Sequence, residues 1–187
     1  MTIKTFNRLR CINAFLGMLV TGFTSPAIIK IQGTFLEQSE LTVLLLFVSM
    51  IETTFPILAK MPNTVKIFLP SVSSIITTVV IIIAIYCNWN FIVCCIITLY
   101  PVIGVAYHIR CNYISEKLKN HMNLEDFSAT MISVSSIGSI LGLGISYICA
   151  KLSIEPIHIL LISNVIDIVI IPIDFRIAFF LYNFNTN

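Results

Sequence analysis

Long apolar runs alternate with short polar connections along the whole of this 187-residue chain. A helix needs about 20 predominantly apolar residues to cross the roughly 30 Å of hydrocarbon in a bilayer. The runs have about that length, so the pattern predicts six transmembrane helices. Spans one to six are Cys11–Ile31, Leu41–Ala59, Ile67–Cys87, Phe91–Ile109, Met131–Ala150 and Ile157–Ile173. We therefore predict an all-α fold in which residues 1–187 form a single polytopic membrane domain.

The composition indicates that the main solvent of this chain is lipid. Hydrophobic residues make up 57% of the chain and charged residues 11%, and the mean hydropathy is +0.97. Soluble domains carry about 25% charged residues. A soluble fold of this size could not bury so much apolar surface, so we expect the lipid bilayer to be the principal partner.

The basic residues predict an orientation in the membrane. Of the eleven Lys and Arg residues, only Lys30 and Lys151 fall on one side of the predicted spans. The other nine are Lys4, Arg8, Arg10, Lys60, Lys66, Arg110, Lys117, Lys119 and Arg176. Basic residues beside spans are retained in the cytoplasm, so both termini are predicted to be cytoplasmic. Compact outer connections without glycosylation sites are typical of a bacterial inner membrane protein.

The longest connection, between spans four and five, predicts a helix that lies on the cytoplasmic membrane surface. Ile114, Leu118 and Met122 recur at every fourth position, which is typical of an amphipathic helix over residues 113–126. The alternative is an ordinary polar loop. Asn123, with Asp126 three residues later, is expected to cap the start of span five.

Span five carries a stripe of small residues on one face. It consists of Ser135, Gly138, Ser139, Gly142 and Ser146. Small residues allow two helix backbones to approach closely within a membrane. The stripe predicts either a static packing contact or a contact that slides during gating.

Two carboxylic acids are predicted to lie deep in the membrane. Glu52 in span two and Asp167 in span six fall roughly 15 Å below the start of their spans, at 1.5 Å per residue. Burial favours the neutral form of an acid, which should face protein or water. Either acid could carry protons or bind a cation, or could be a protonated group bonded to Thr53 or Asn164. Asp174 is expected at the interface and could pair with Arg176.

Motifs for catalysis and for nucleic-acid binding are absent from the sequence. It contains no P-loop, no G-x-S-x-G, no H-E-x-x-H and no basic run interleaved with aromatic residues. The six cysteines show no C-x-x-C or zinc-ligand spacing. We therefore expect no catalytic residues, metal, cofactor, disulfide or nucleic-acid partner.

The second half of the chain resembles one half of a major facilitator superfamily transporter of the efflux branch. The resemblance rests on Tyr100-Pro101-Val102-Ile103-Gly104, on Arg110 and Asn112, on the segment Ile114–Asp126 and on the small-residue run Ser133–Gly142. The connection Ala59–Lys66 keeps positive charge but lacks the Gly and Asp of the family's usual signature. The family works as two six-helix halves, so the resemblance implies a homodimer or a second half.

Three functions remain open from the sequence. The first is a half-size permease that moves a small solute or drug, with Glu52 or Asp167 as the proton site. The second is a non-transporting inner-membrane binding protein, such as an immunity protein against a toxin or bacteriocin. The third is a fragment of a transporter. The substrate and the coupling ion cannot be read from the sequence.

Overall fold

A computed structural model describes residues 1–53 and 60–186 of the chain, and over these residues the chain forms seven helices. The helices are α1 (Ile3–Phe35), α2 (Gln38–Glu52), α3 (Asn63–Tyr86), α4 (Asn90–Thr98), α5 (Tyr100–Leu118), α6 (Leu124–Lys151) and α7 (Pro156–Thr186). The described part of the chain contains no strand. The predicted all-α fold is confirmed.

Within the described part of the chain, four helices are long and apolar enough to cross a membrane: α1, α3, α6 and α7. They correspond to predicted spans one, three, five and six. The counterpart of span two is α2, a shorter apolar helix of 15 residues. Residues 54–59, which complete that span in the prediction, lie outside the described residues. Several apolar helices are thus compatible with an integral membrane protein, and the count of six crossings stays a prediction.

Predicted span four is divided into α4 and α5 at Leu99. Pro101 lies in the first turn of α5 and explains the interruption, because proline has no backbone N–H to continue a preceding helix. The Leu99 N–H still donates to the carbonyls of Cys95 and Ile96, at 3.2 and 3.0 Å. The chain therefore turns only locally between α4 and α5.

Helix α1 makes the most extensive contacts with the other described helices. It packs most extensively against α6 and also against α7, while α3 packs against α7, α5 and α4. One apolar cluster, which includes Phe6, Ile67 and Ile177, occupies the end of the bundle predicted to be cytoplasmic. A second cluster, which includes Ile81 and Leu160, occupies the opposite end. Polar residues are concentrated between these two apolar clusters.

Residues 113–126, predicted as one surface helix, are divided between two helices of the bundle. The first part of this segment is the end of α5, which continues to Leu118, and the last part is the start of α6. Ile114 and Leu118 are 2% and 0% exposed because they pack against Phe6 and Ile177 within the bundle. The apolar side chains of this segment are therefore buried by contacts with other helices and not by contact with the membrane surface.

One sequence prediction about a helix boundary is confirmed. Asn123 caps α6, since its side chain accepts hydrogen bonds from the Glu125 and Asp126 N–H groups and donates to the Asp126 carboxylate. A tight turn at Asn88–Asn90 joins α3 to α4. Asn88 has φ 57°, a left-handed conformation that asparagine tolerates better than most residues.

The outer surface of the described helices is strongly apolar. Large hydrophobic side chains are more than half exposed on α2, α6 and α7, for example Leu46, Ile140 and Val169. A soluble protein rarely exposes contiguous apolar patches of this kind. Lipid is the environment that such a surface fits.

Candidate functional site

A cavity of about 620 Å³ lies between the two apolar clusters. It is formed mainly by α1, α3, α5 and α7, and Ile97 contributes from α4. The volume is within the range of about 300–1,000 Å³ that is usual for sites that bind small molecules. The lining combines aliphatic, hydroxyl and aromatic side chains with one carboxylic acid, Asp167.

Most hydroxyl groups in the lining use their single hydrogen within their own helix. Five of the seven Ser and Thr residues there donate to a carbonyl three or four residues earlier, over 2.6–2.9 Å. They are Thr21, Thr24, Ser25, Thr77 and Ser163. A hydroxyl has one hydrogen and two lone pairs, so these groups have only acceptor capacity left for a ligand.

Asp167 has no charge partner in the cavity. Tyr100, Tyr107 and His108 also line the cavity, and the described lining residues include no Lys or Arg. Asp167 makes no hydrogen bond or ion pair with any residue in the described part of the chain. An acid at this depth is expensive, and it is expected to face water or a ligand.

A buried ion pair lies beneath the cavity, towards the predicted cytoplasmic end. Arg110 of α5 donates from both terminal nitrogens to the two carboxylate oxygens of Asp174 of α7, which is a bidentate arrangement. The two side chains are 0% and 2% exposed. Bidentate Arg–carboxylate pairs fix geometry as well as charge, so this contact sets the position of α5 relative to α7.

Two neutral side chains complete the coordination of Asp174. The Ser71 hydroxyl on α3 donates to one carboxylate oxygen, and the Asn13 amide on α1 donates to the other at 3.2 Å. The network therefore joins α1, α3, α5 and α7. Asn13 also lines the cavity, where its Oδ1 atom is buried and has no hydrogen-bond partner among the described residues.

A second arginine is buried nearby. Arg10 of α1 is 5% exposed and donates to the sulfur of Cys111 at 3.2 Å. The guanidinium carbon of Arg110 lies 4.9 Å from the centre of the Tyr107 ring, within the range of a cation–π contact. Tyr107 thus contacts Arg110 of the network and also lines the cavity above it.

The sequence interpretation missed this network. It placed Asp174 at the interface with Arg176 as its partner, but Arg176 is exposed and Asp174 is buried. It used Arg110 for the orientation of the chain and for the family resemblance, and not as a partner of an acid. A signal was present, because Arg110 and Asp174 directly follow the ends of two spans predicted to run in the same direction. Opposite charges at matching depth on two such spans can pair.

The three polar residues predicted inside the membrane have different surroundings. Asp167 lies in the cavity. Asn164 is 1% exposed and donates to the carbonyl of Leu160 at 2.7 Å, and it makes no hydrogen bond to Asp167. Glu52 is the last residue of α2, and its side chain lies outside the described residues. No contact between Glu52 and Asp167 can therefore be assigned.

The small-residue stripe of α6 lies against α1 and away from the cavity. Gly138, Gly142 and Ser146 are buried, while Ser135 and Ser139 are partly exposed. A Cβ atom on Gly138 would lie 2.5 Å from the carbonyl oxygen of Phe15. The two backbones are therefore almost in contact, and whether this contact slides during gating stays a prediction.

Comparisons with protein-family models, with curated proteins and with solved structures find no match to this chain. Over the described residues, no group of three or more His, Cys, Asp or Glu side chains could hold a metal ion. The candidate site therefore consists of the cavity, in which Asp167 has no salt-bridge partner among the described residues, and of the buried ion pair of Arg110 and Asp174 below it.

Proposed function

We propose that this chain is a multi-pass membrane transport protein that binds a small solute in the central cavity and couples its movement to the binding and release of a proton. The observation that carries the proposal is the position of Asp167. It is the one carboxylic acid among the described lining residues, and it forms no salt bridge with a described residue. An intramembrane acid that faces a cavity is a default candidate for a proton or ion site.

The surroundings of the cavity support a protein that opens to one side at a time. The network of Arg110 and Asp174 and the apolar cluster around Phe6 fill the bundle below the cavity. A transporter must expose its site alternately to the two sides of the membrane. Breaking the network and separating the ends of α5 and α7 would open the cavity towards the predicted cytoplasmic side.

The test is proton-coupled flux in proteoliposomes that contain a pH-sensitive dye. The wild type is given panels of neutral, cationic and anionic solutes, and the solute that moves protons is then offered to Asp167→Asn. We expect the substitution to abolish proton movement, because an amide cannot bind and release a proton. Glu116→Gln, an acid-to-amide change at an exposed position of α5, is the matched control.

The outcomes of this test distinguish a transport protein from a non-transporting binding protein. Flux that is lost in Asp167→Asn and kept in Glu116→Gln supports the proposal. Equal flux in both variants would remove Asp167 from the mechanism. No flux with any solute, in protein that is folded and inserted, would favour a non-transporting binding protein of the inner membrane.

The proposal does not depend on a second copy of the chain. The cavity and its acid lie within one protomer, between helices that pack against one another. The homodimer implied by the family resemblance would contain two such cavities. Native mass spectrometry of the protein in nanodiscs tests for that dimer directly.

A further inference from the structure

We propose that the solute is an organic ammonium ion that retains at least one N–H group, held with its cationic nitrogen beside Asp167. This inference rests on the proposed function, because it names the ligand class of the same cavity. It follows from the balance of charge and of hydrogen-bond donors and acceptors in the lining.

The charge of the lining favours a cation. Asp167 is the one acid among the described lining residues, and the nearby guanidinium of Arg110 is already engaged by Asp174 below the cavity. The second buried arginine, Arg10, donates to Cys111. At 1.5 Å per residue, Asp167 lies about 10 Å along α7 from Asp174. Asp167 is therefore separated from the Arg110–Asp174 pair.

The hydrogen-bonding capacity of the lining favours a donor. Five lining hydroxyls have already given their hydrogen to their own helix, so they can only accept. A ligand that carries N–H groups can donate hydrogen bonds to these oxygens, whereas a ligand that carries only acceptors finds no free hydroxyl hydrogen among them.

The aromatic side chains are suited to the same ligand. Tyr100 and Tyr107 both line the cavity, and the negative face of an aromatic ring attracts cations. Tyr107 already has the guanidinium of Arg110 beside its ring, so Tyr100 is the ring left for the ligand. The aliphatic part of an amine would contact Ile28, Ile97 and Ile170.

Equilibrium binding of three matched probes to the wild type in nanodiscs tests the inference. Dibenzylammonium carries a positive charge and N–H donors. Dimethyldibenzylammonium carries the charge without the donors, and dibenzyl ether has neither. A hydrogen bond from a charged donor contributes about 1.5–3 kcal/mol, which corresponds to about 10-fold to 100-fold in affinity. We expect the first probe to bind at least about 10-fold more tightly than the second, and the ether to bind weakest.

Variants then locate the site. Asp167→Asn should weaken binding of dibenzylammonium by about 10-fold to 100-fold and leave the ether unchanged, while Glu116→Gln should change neither. Equal affinity for the first two probes would overturn the N–H requirement, and equal or tighter binding of the ether would overturn the cation. The comparison of probes on the wild type remains decisive even if Asp167→Asn fails to fold.

The failure of this inference can be told apart from the failure of the proposed function. Binding of dibenzylammonium without solute flux or proton movement would refute transport and support the ligand class. Proton-coupled flux of a neutral or anionic solute, without binding of dibenzylammonium, would support transport and refute the ligand class.

Discussion

Arg110 and Asp174 form an ion pair that lies wholly inside the helix bundle, although both residues follow directly on predicted membrane spans. The carboxylate of Asp174 accepts hydrogen bonds from Asn13, Ser71 and Arg110, which belong to three other helices. A charge removed from water to this extent is stable only while its partner is present. The pair is therefore the point at which four helices of the bundle depend on one another.

We expect Asp174→Asn to destabilise the protein strongly. The substitution leaves the guanidinium of Arg110 buried without a counter-charge, and loss of one partner of a buried pair costs roughly 3–5 kcal/mol. The free energy of unfolding, measured by SDS titration in mixed micelles, should fall by that amount. Arg176→Met, at an exposed position two residues further along α7, should change it by less than about 0.5 kcal/mol.

A double substitution distinguishes loss of the charge partner from loss of shape. Arg110→Met combined with Asp174→Leu removes both charges and keeps most of the buried volume. Replacing a buried pair by apolar residues is often neutral or stabilising. The double variant should therefore recover most of the stability lost in Asp174→Asn. Two losses that simply add would contradict this account of the pair.

We expect Gly142→Ala to destabilise the contact between α1 and α6. The added Cβ atom would overlap the carbonyl oxygen of Leu19 and lie 2.8 Å from the Phe23 nitrogen, and backbone cannot move aside cheaply. Overpacking of this kind costs about 1–3 kcal/mol. Gly144→Ala is the matched control, since nothing lies within 4 Å of its added methyl group. That control should gain up to about 1 kcal/mol from helix propensity.

We expect Asp167→Asn to abolish proton-coupled flux without lowering the stability of the fold. The carboxylate of Asp167 makes no ion pair with a described residue, so its replacement by an amide of similar shape removes no packing contact. We expect an unchanged or higher thermal midpoint in nanodiscs, together with the loss of proton-coupled flux. A large fall in the midpoint would indicate a structural role for Asp167.

The predicted orientation can be tested by labelling cysteines. Cys87 is exposed at the end of α3, on the side predicted to face outwards. In a variant that keeps only Cys87, a membrane-impermeant maleimide should react in intact bacterial cells. A variant that carries only Ser115→Cys, at an exposed position of α5, should react after permeabilisation alone. The reverse pattern would place both termini outside.

The amphipathic pattern of residues 113–126 shows where sequence reasoning reaches its limit. An apolar stripe can be buried against lipid or against other helices, and both environments select the same spacing. In this chain Ile114 and Leu118 pack against Phe6, which lies more than 100 residues earlier. Only the arrangement of the whole bundle decides between these two environments.

The cavity was partly predictable. Asp167 could be recognised because a carboxylic acid within an apolar run is costly wherever the run is placed. The sequence did not show that most lining hydroxyl groups can only accept a hydrogen bond from a ligand. This property depends on which hydroxyl groups donate to a carbonyl of their own helix. The role of Asn13 could not be recognised, because it depends on contact with Asp174, 161 residues away.

The sequence by itself determined that the chain is helical, where the central parts of most of its helices lie, and that their surfaces suit lipid. These properties follow from local solvation, from backbone hydrogen bonding and from capping residues, which act over a few positions. The tertiary structure alone decided which polar groups meet. Arg110 and Asp174 are 64 residues apart, and their pairing depends on the packing of α1, α3, α5 and α7 around them. That packing also left Asp167 facing a cavity without a partner, which is the basis of the proposed function.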